Sequence, residues 1–392
     1  MGRKRRACLA LLCGLLTGTS AAAAVLVVGP GEAITRIGDA ARLAQDGDTV
    51  LILPGTYRGD VAVWTQKRLE IRGMEPRPVL EAAGKSAEGK AIWVFRNGSF
   101  TVSNLEFRGA RVPDGNGNGI RFERGELSVE DCVFDDNQTG ILTANFNDSR
   151  LSVRRSVFAN APRDARLPHL LYVGRIAHFS VEGSRFHNGF RGHLIKSRAQ
   201  VSEIRYNLIV DGPGGGASYE IDLPNGGDAL VVGNVIGQSA ATQNPVVVAF
   251  GAESHAWPGS RLRLAHNTLL TEGWRPAWFL RTWPGRLPAG TTVETRNNLT
   301  AGFGTLTTLT RGTHGGNVHL PPWILDPGTF DITLGQSSIL RGWAGLPSAP
   351  AGPLAPTAEF AFPLGTRRLE APAEWVSGAF QSTELPLDGS SD

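Results

Sequence analysis

Lysine is scarce in this 392-residue chain. Beyond residue 24 only Lys67, Lys85, Lys90 and Lys196 occur, and the other basic residues are arginines. Lys196 lies in Gly192-His-Leu-Ile-Lys-Ser-Arg198, two residues before Arg198. Next come the glycine-rich stretch Asp211-Gly-Pro-Gly-Gly-Gly216 and the polar segment Ser218-Tyr-Glu-Ile-Asp-Leu-Pro-Asn-Gly-Gly227. These residue types support three chemistries. A basic side chain at Lys196 can take the proton at C5 of a uronic acid while Arg198 neutralises the adjacent carboxylate, the requirement of a polysaccharide lyase. Glu220 and Asp222, two residues apart on one strand face, can act as acid and base of a glycoside hydrolase, which needs carboxyls ~5 Å or ~6.5–9.5 Å apart. With Asp211 the same carboxylates make Ca²⁺ a possible ligand. The plainer alternative is a Lys196–Asp222 surface ion pair worth ~0.2–1 kcal/mol and no chemistry.

What places these residues together is a repeat. Val102-Ser-Asn-Leu-Glu-Phe107, Val129-Glu-Asp-Cys-Val-Phe134, Val153-Arg-Arg-Ser-Val-Phe158, Val181-Glu-Gly-Ser-Arg-Phe186, Ile204-Arg-Tyr-Asn-Leu-Ile209, Val231-Val-Gly-Asn-Val-Ile236 and Leu264-Ala-His-Asn-Thr-Leu269 start 27, 24, 28, 23, 27 and 33 residues apart. Periods of this size mark a solenoid with one coil per repeat. Each unit reads as two short strands meeting at a bend, where Asn207, Asn234, Asn267 and Asn297 are expected to stack as an amide ladder. A third strand follows after a variable loop. Strict alternation puts Ile120, Phe122, Leu170, Tyr172, Ile195, Tyr219, Ile221, Val246 and Val248 inside, and Arg121, Glu123, Lys196, Glu220 and Asp222 outside. Lys196 is then one coil from Asp222, about 4.8 Å away. His193 falls on the inward phase, as a core histidine would. His193, Tyr219, Asn225 and Arg175 complete the candidate substrate contacts. The expected fold is all-β: a single right-handed parallel β-helix of nine to ten coils.

The ends fit this reading. Met1-Gly-Arg-Lys-Arg-Arg6, a short apolar run and Ala21-Ala-Ala-Ala24 form a signal peptide over residues 1–24, so the protein is expected to be exported to the periplasm or beyond. No segment is apolar for long enough to be a transmembrane helix. Removing that leader takes four basic residues from 39 and leaves 35 against 36 acidic, so bulk charge does not point to nucleic acid. It also takes Cys8 and Cys13, leaving Cys132 without a disulfide partner. Ala40-Ala-Arg-Leu-Ala44 reads as a short N-terminal capping helix, residues 25–345 as the solenoid, and residues 346–392 as a C-terminal cap and polar tail. The eight histidines show no zinc spacing, and no oligomeric state is legible. Trp257, Trp274, Trp278 and Trp283 cluster late in the chain and could stack on sugars or pack under a long loop.

The order Ile195-Lys196-Ser197, Tyr206-Asn207, Leu223-Pro224-Asn225-Gly226, Val232-Gly233-Asn234 resembles the β-helix polysaccharide lyases of the alginate lyase and chondroitinase B group, in the pectin-lyase-like fold class. The resemblance implies β-elimination on an acidic polysaccharide with Lys196 as base. Pro224 stands where that family carries its arginine, and Asn225 where it carries histidine. The alternatives are the Glu220/Asp222 hydrolase and a non-catalytic polysaccharide-binding envelope protein.

Overall fold

The computed structural model describes residues 23–306, 312–321 and 352–383. Most of the expected signal peptide and the last nine residues lie outside them. The chain winds into a right-handed parallel β-solenoid of about ten turns. One turn runs through Arg150–Arg154, Val157–Ala159 and His169–Val173, and the next begins at His178–Glu182. Corresponding strands pair in parallel up the solenoid, giving three columns.

The repeat read from the sequence is the observed register. In the first column Val102, Val129, Val153, Val181, Ile204, Val231 and Leu264 are successive partners. In the second, Phe107, Phe134, Phe158 and Phe186 stack with centroids 5.1, 4.6 and 4.8 Å apart and nearly parallel rings. Identical rings in register gain offset contact with neighbours above and below, which fixes the stagger of adjacent coils.

The corner between the first two columns is a two-residue device. Its first residue takes a left-handed conformation: Asp131, Arg155, Gly183, Tyr206, Gly233, His266 and Asn297 all have φ between 45° and 70°. The second turns inward and caps the backbone N–H of its counterpart in the coil before. Asn207, Asn234, Asn267, Asn298 and Asn317 form the ladder, each amide nitrogen donating 2.9–3.0 Å to the next amide oxygen. Asn298 therefore occupies the place expected of Asn297. Asn297 supplies the left-handed bend instead, since Asn298 precedes Leu299, the partner of Thr268, just as Asn267 precedes Thr268. Ser184 and Ser156 extend the pattern with hydroxyls.

The helix Ile37–Leu43 seats Ile37, Ala40 and Ala41 on the core, with the Asp60 carboxylate accepting the N–H groups of Ile37 and Gly38 at 2.6 and 3.0 Å. Residues 352–383 lie along the flank. Phe360, Ala379 and Phe380 pack on Leu208, Val235, Leu270 and Leu299, covering the outside of the second column.

Candidate functional site

The third column positions the candidate residues, and its strands do not alternate strictly. In His193–Ser197, Leu194 and Ile195 both enter the core while His193 and Lys196 both face out. The same out-in-in-out order recurs in His169-Leu170-Leu171-Tyr172, Tyr219-Glu220-Ile221-Asp222 and Trp278-Phe279-Leu280-Arg281. Where the chain enters the strand from a loop, the first side chain is turned to the outer face.

This break corrects five sequence expectations. Tyr172, Tyr219, His193 and Val246, expected inside, lie on the outer face. His193 stacks on Tyr219 at 5.0 Å and meets His169 edge-on at 4.9 Å, and Tyr172 stacks on His169 at 5.1 Å. Glu220, expected outside, is wholly buried in the core beneath its own strand. Its Oε2 accepts from Gln238 Nε2 at 3.3 Å, and its Oε1 has no hydrogen-bond partner among the described residues. Burial, and then the nearby Asp211, push the Glu220 carboxyl well above its ordinary range. Asp211 is also buried, accepts the N–H groups of Gly189 and Ala217, and is pushed up to about 6. The sheet thus separates Glu220 and Asp211 from Asp222. The hydrolase pair cannot act on one substrate, and the three carboxylates do not form a Ca²⁺ site. Among the described residues no group of three or more His, Cys, Asp or Glu side chains is arranged to hold a metal ion.

Lys196 and Asp222 are cross-coil partners, as the repeat indicated, with Nζ 2.9 Å from Oδ2. The pair is not a surface ion pair, since Lys196 is only 7% exposed and Asp222 2%. Sequence reasoning missed Glu253. Its carboxylate accepts from Lys196 Nζ at 2.9 Å and from Arg198 Nη2 at 2.6 and 2.9 Å. It comes from the insertion that lengthens one repeat to 33 residues, and that extra length was the available signal. The insertion is tied down by Glu253 N–H to Pro224 O, Trp257 N–H to Asn225 O, and Trp257 Nε1 to Arg198 O.

Burial works against the Lys196 ammonium, but Asp222 and Glu253 outweigh it, and its pKa is raised. Burial raises the Asp222 carboxyl against the opposing pull of Lys196. Asp222 Oδ1 has no hydrogen-bond partner among the described residues. Neither has His193 Nδ1, which lies 3.8 Å from Asp222 Oδ2. Burial lowers His169 to about 4 and His193 well below its ordinary value, so both imidazoles are neutral near pH 7.

The remaining candidates lie around this centre. The Arg198 guanidinium sits 5.1 Å from the Tyr172 ring centroid. Asn225 Nδ2 donates to Ser254 O at 2.6 Å, so it braces the insertion. Arg175 lies over Trp257 at 3.9 Å and donates to His255 O, again on the insertion. Trp257 is packed beneath that loop, whereas Trp274 is 85% exposed. No described helix is long and apolar enough to cross a membrane.

No family model and no curated protein matches the chain. A solved structure, the crystal structure of pectate lyase Pel9A, superimposes with a TM-score of 0.55 and 15% identity over 93% of this chain and 97% of that one. That likeness establishes the pectate lyase fold for this chain.

Proposed function

We propose that the protein acts on an acidic polysaccharide at the Lys196 centre, by β-elimination. The observation that carries this reading is the buried Lys196–Asp222 pair, capped on its outer side by the Glu253 carboxylate, which bridges Lys196 and Arg198. A uronate carboxylate can replace that of Glu253 on Arg198, where a fork-shaped guanidinium suits it. Lys196 then keeps one carboxylate partner, Asp222, which burial already disposes to take a proton. Passing the Lys196 proton to Asp222 leaves a neutral amine. The amine takes the C5 proton, the C–H electrons form the C4–C5 double bond, and the C4–O bond breaks. The ammonium so formed returns its proton to the departing oxygen. Arg198 offsets the charge that builds on the uronate during proton removal.

This reading agrees with the resemblance to the alginate lyase and chondroitinase B group at Lys196. It departs from that group at Pro224 and Asn225, which supply no acid. Export, suggested by residues 1–24, would bring the protein to such polymers. A second reading, binding without turnover, is favoured by Lys196 being held charged between two carboxylates.

Purified protein incubated with polymers of galacturonate, of mannuronate and guluronate, and with uronate-containing glycosaminoglycans separates the readings. Elimination yields ultraviolet-absorbing unsaturated ends, hydrolysis yields reducing ends alone, and binding yields heat in a titration with neither product. Reducing ends without unsaturation would overturn the proposal.

A further inference from the structure

The out-in-in-out strands leave two parallel rows of side chains on the outer face of the third column. One row is His169, His193, Tyr219, Val246 and Trp278, and the other is Tyr172, Lys196, Asp222, Ala249 and Arg281. Past Asp222 both rows drop to small side chains, Val246 and Ala249, and then rise again at Trp278 and Arg281. Trp278 is 38% exposed, although a large apolar side chain in this column would ordinarily be covered. Arg281 is exposed and makes no ion pair with the described residues, unlike Lys196 and Arg198. Its guanidinium lies 4.9 Å from the Trp283 ring centroid, which restrains its plane without neutralising its charge.

We propose that Trp278 and Arg281 form a second sugar subsite, reached by an acidic polysaccharide that lies along the solenoid axis from the Lys196 centre. The inference rests on the reading of that centre as a uronate site. The Trp278 indole offers a flat apolar surface for one face of a pyranose ring, and Arg281 offers a cation for its carboxylate. Lys196 and Arg281 are three coils apart in register, about 14 Å at the spacing of parallel strands. A disaccharide held at Lys196 cannot bridge that distance, whereas a longer oligomer can. Between the two sites Val246 and Ala249 are 2% and 0% exposed, so the oligomer passes over the side chains that cover them.

Calorimetric titration of the full-length protein with uronate oligomers of increasing length, from the disaccharide upward, tests this. Affinity is expected to rise once the oligomer spans both sites. Trp278→Ala and Arg281→Gln should each remove about fivefold to tenfold of affinity for long oligomers and leave disaccharide binding unchanged. Arg281→Lys should restore part of the loss. Lys196→Met with Arg198→Gln should weaken short and long oligomers alike. If those changes weaken binding while Trp278→Ala and Arg281→Gln do not, the second subsite is wrong and the uronate centre stands. If only Trp278 and Arg281 matter, the uronate centre fails and with it the continuous track. A change in sedimentation of Trp278→Ala with no change in oligosaccharide binding would assign the patch to a second copy of the chain and overturn the inference.

Discussion

The asparagine ladder and the Lys196 face lie on the same coils, and both bury polar side chains, but they satisfy them in opposite ways. In the ladder every amide meets an identical amide one coil away, and each also caps backbone: Asn267 donates to Val231 O and Ala265 O while its oxygen accepts from Asn234. On the Lys196 face, apart from His169 and His193, which meet edge-on, no residue repeats the one above it, and His193 Nδ1 and Asp222 Oδ1 have no hydrogen-bond partner among the described residues. A buried polar group that recurs in register is explained by its neighbours. One that does not recur is costly unless something outside the chain completes it. The difference marks the face, rather than the ladder, as the place for a ligand.

The strongest way to break this contrast is at the ladder. Asn267→Leu strands the N–H and amide of Asn234 and the carbonyls above and below. Stability should fall by about 2–4 kcal/mol in urea unfolding, with no change in ligand affinity beyond that due to unfolding.

Lys196→Met comes next, leaving Asp222 buried without its cation. The expected loss is about 3 kcal/mol at pH 8, shrinking toward pH 5 as the carboxyl takes a proton. Equal losses at both pH values would show that Asp222 is already protonated in the native protein.

Glu220→Gln should act in the other direction. A carboxyl whose folded pKa is raised contributes stability that is present below its unfolded value and is lost as pH rises through the folded one. Asp211, raised to about 6, adds a loss of the same sign between pH 3.8 and about 6. Removing the Glu220 charge should raise the thermal midpoint by a few degrees at pH 8 and leave it unchanged at pH 4.

Glu253→Gln is the mildest. Its ion pairs are partly exposed, so stability should change by less than about 1 kcal/mol, while affinity for a uronate disaccharide should rise about threefold as Lys196 and Arg198 are released.

The solenoid, its register and the pairing of Lys196 with Asp222 were legible because they depend on a period, and a period survives in sequence. The phase within the third strand was not. Alternation assumes a straight strand, and two consecutive inward residues at its start exchange the faces of Tyr219 and Glu220 without altering a hydrophobic count. Asn297 and Asn298 are adjacent asparagines, and only the partner of Leu299 shows which one enters the ladder. Glu253 reaches the site from 57 residues away, so no local pattern announces it.

Turnover by Lys196→Met and by Asp222→Asn, followed as ultraviolet-absorbing unsaturated ends on the polymer that the wild type cleaves, tests the Lys196 centre most directly. Lys196→Met is expected to abolish product while polymer binding survives, and Asp222→Asn to lower the rate without abolishing it. If Asp222→Asn proves lethal and Lys196→Met mild, Lys196 is not the base, and proton removal must be assigned to a carboxylate instead.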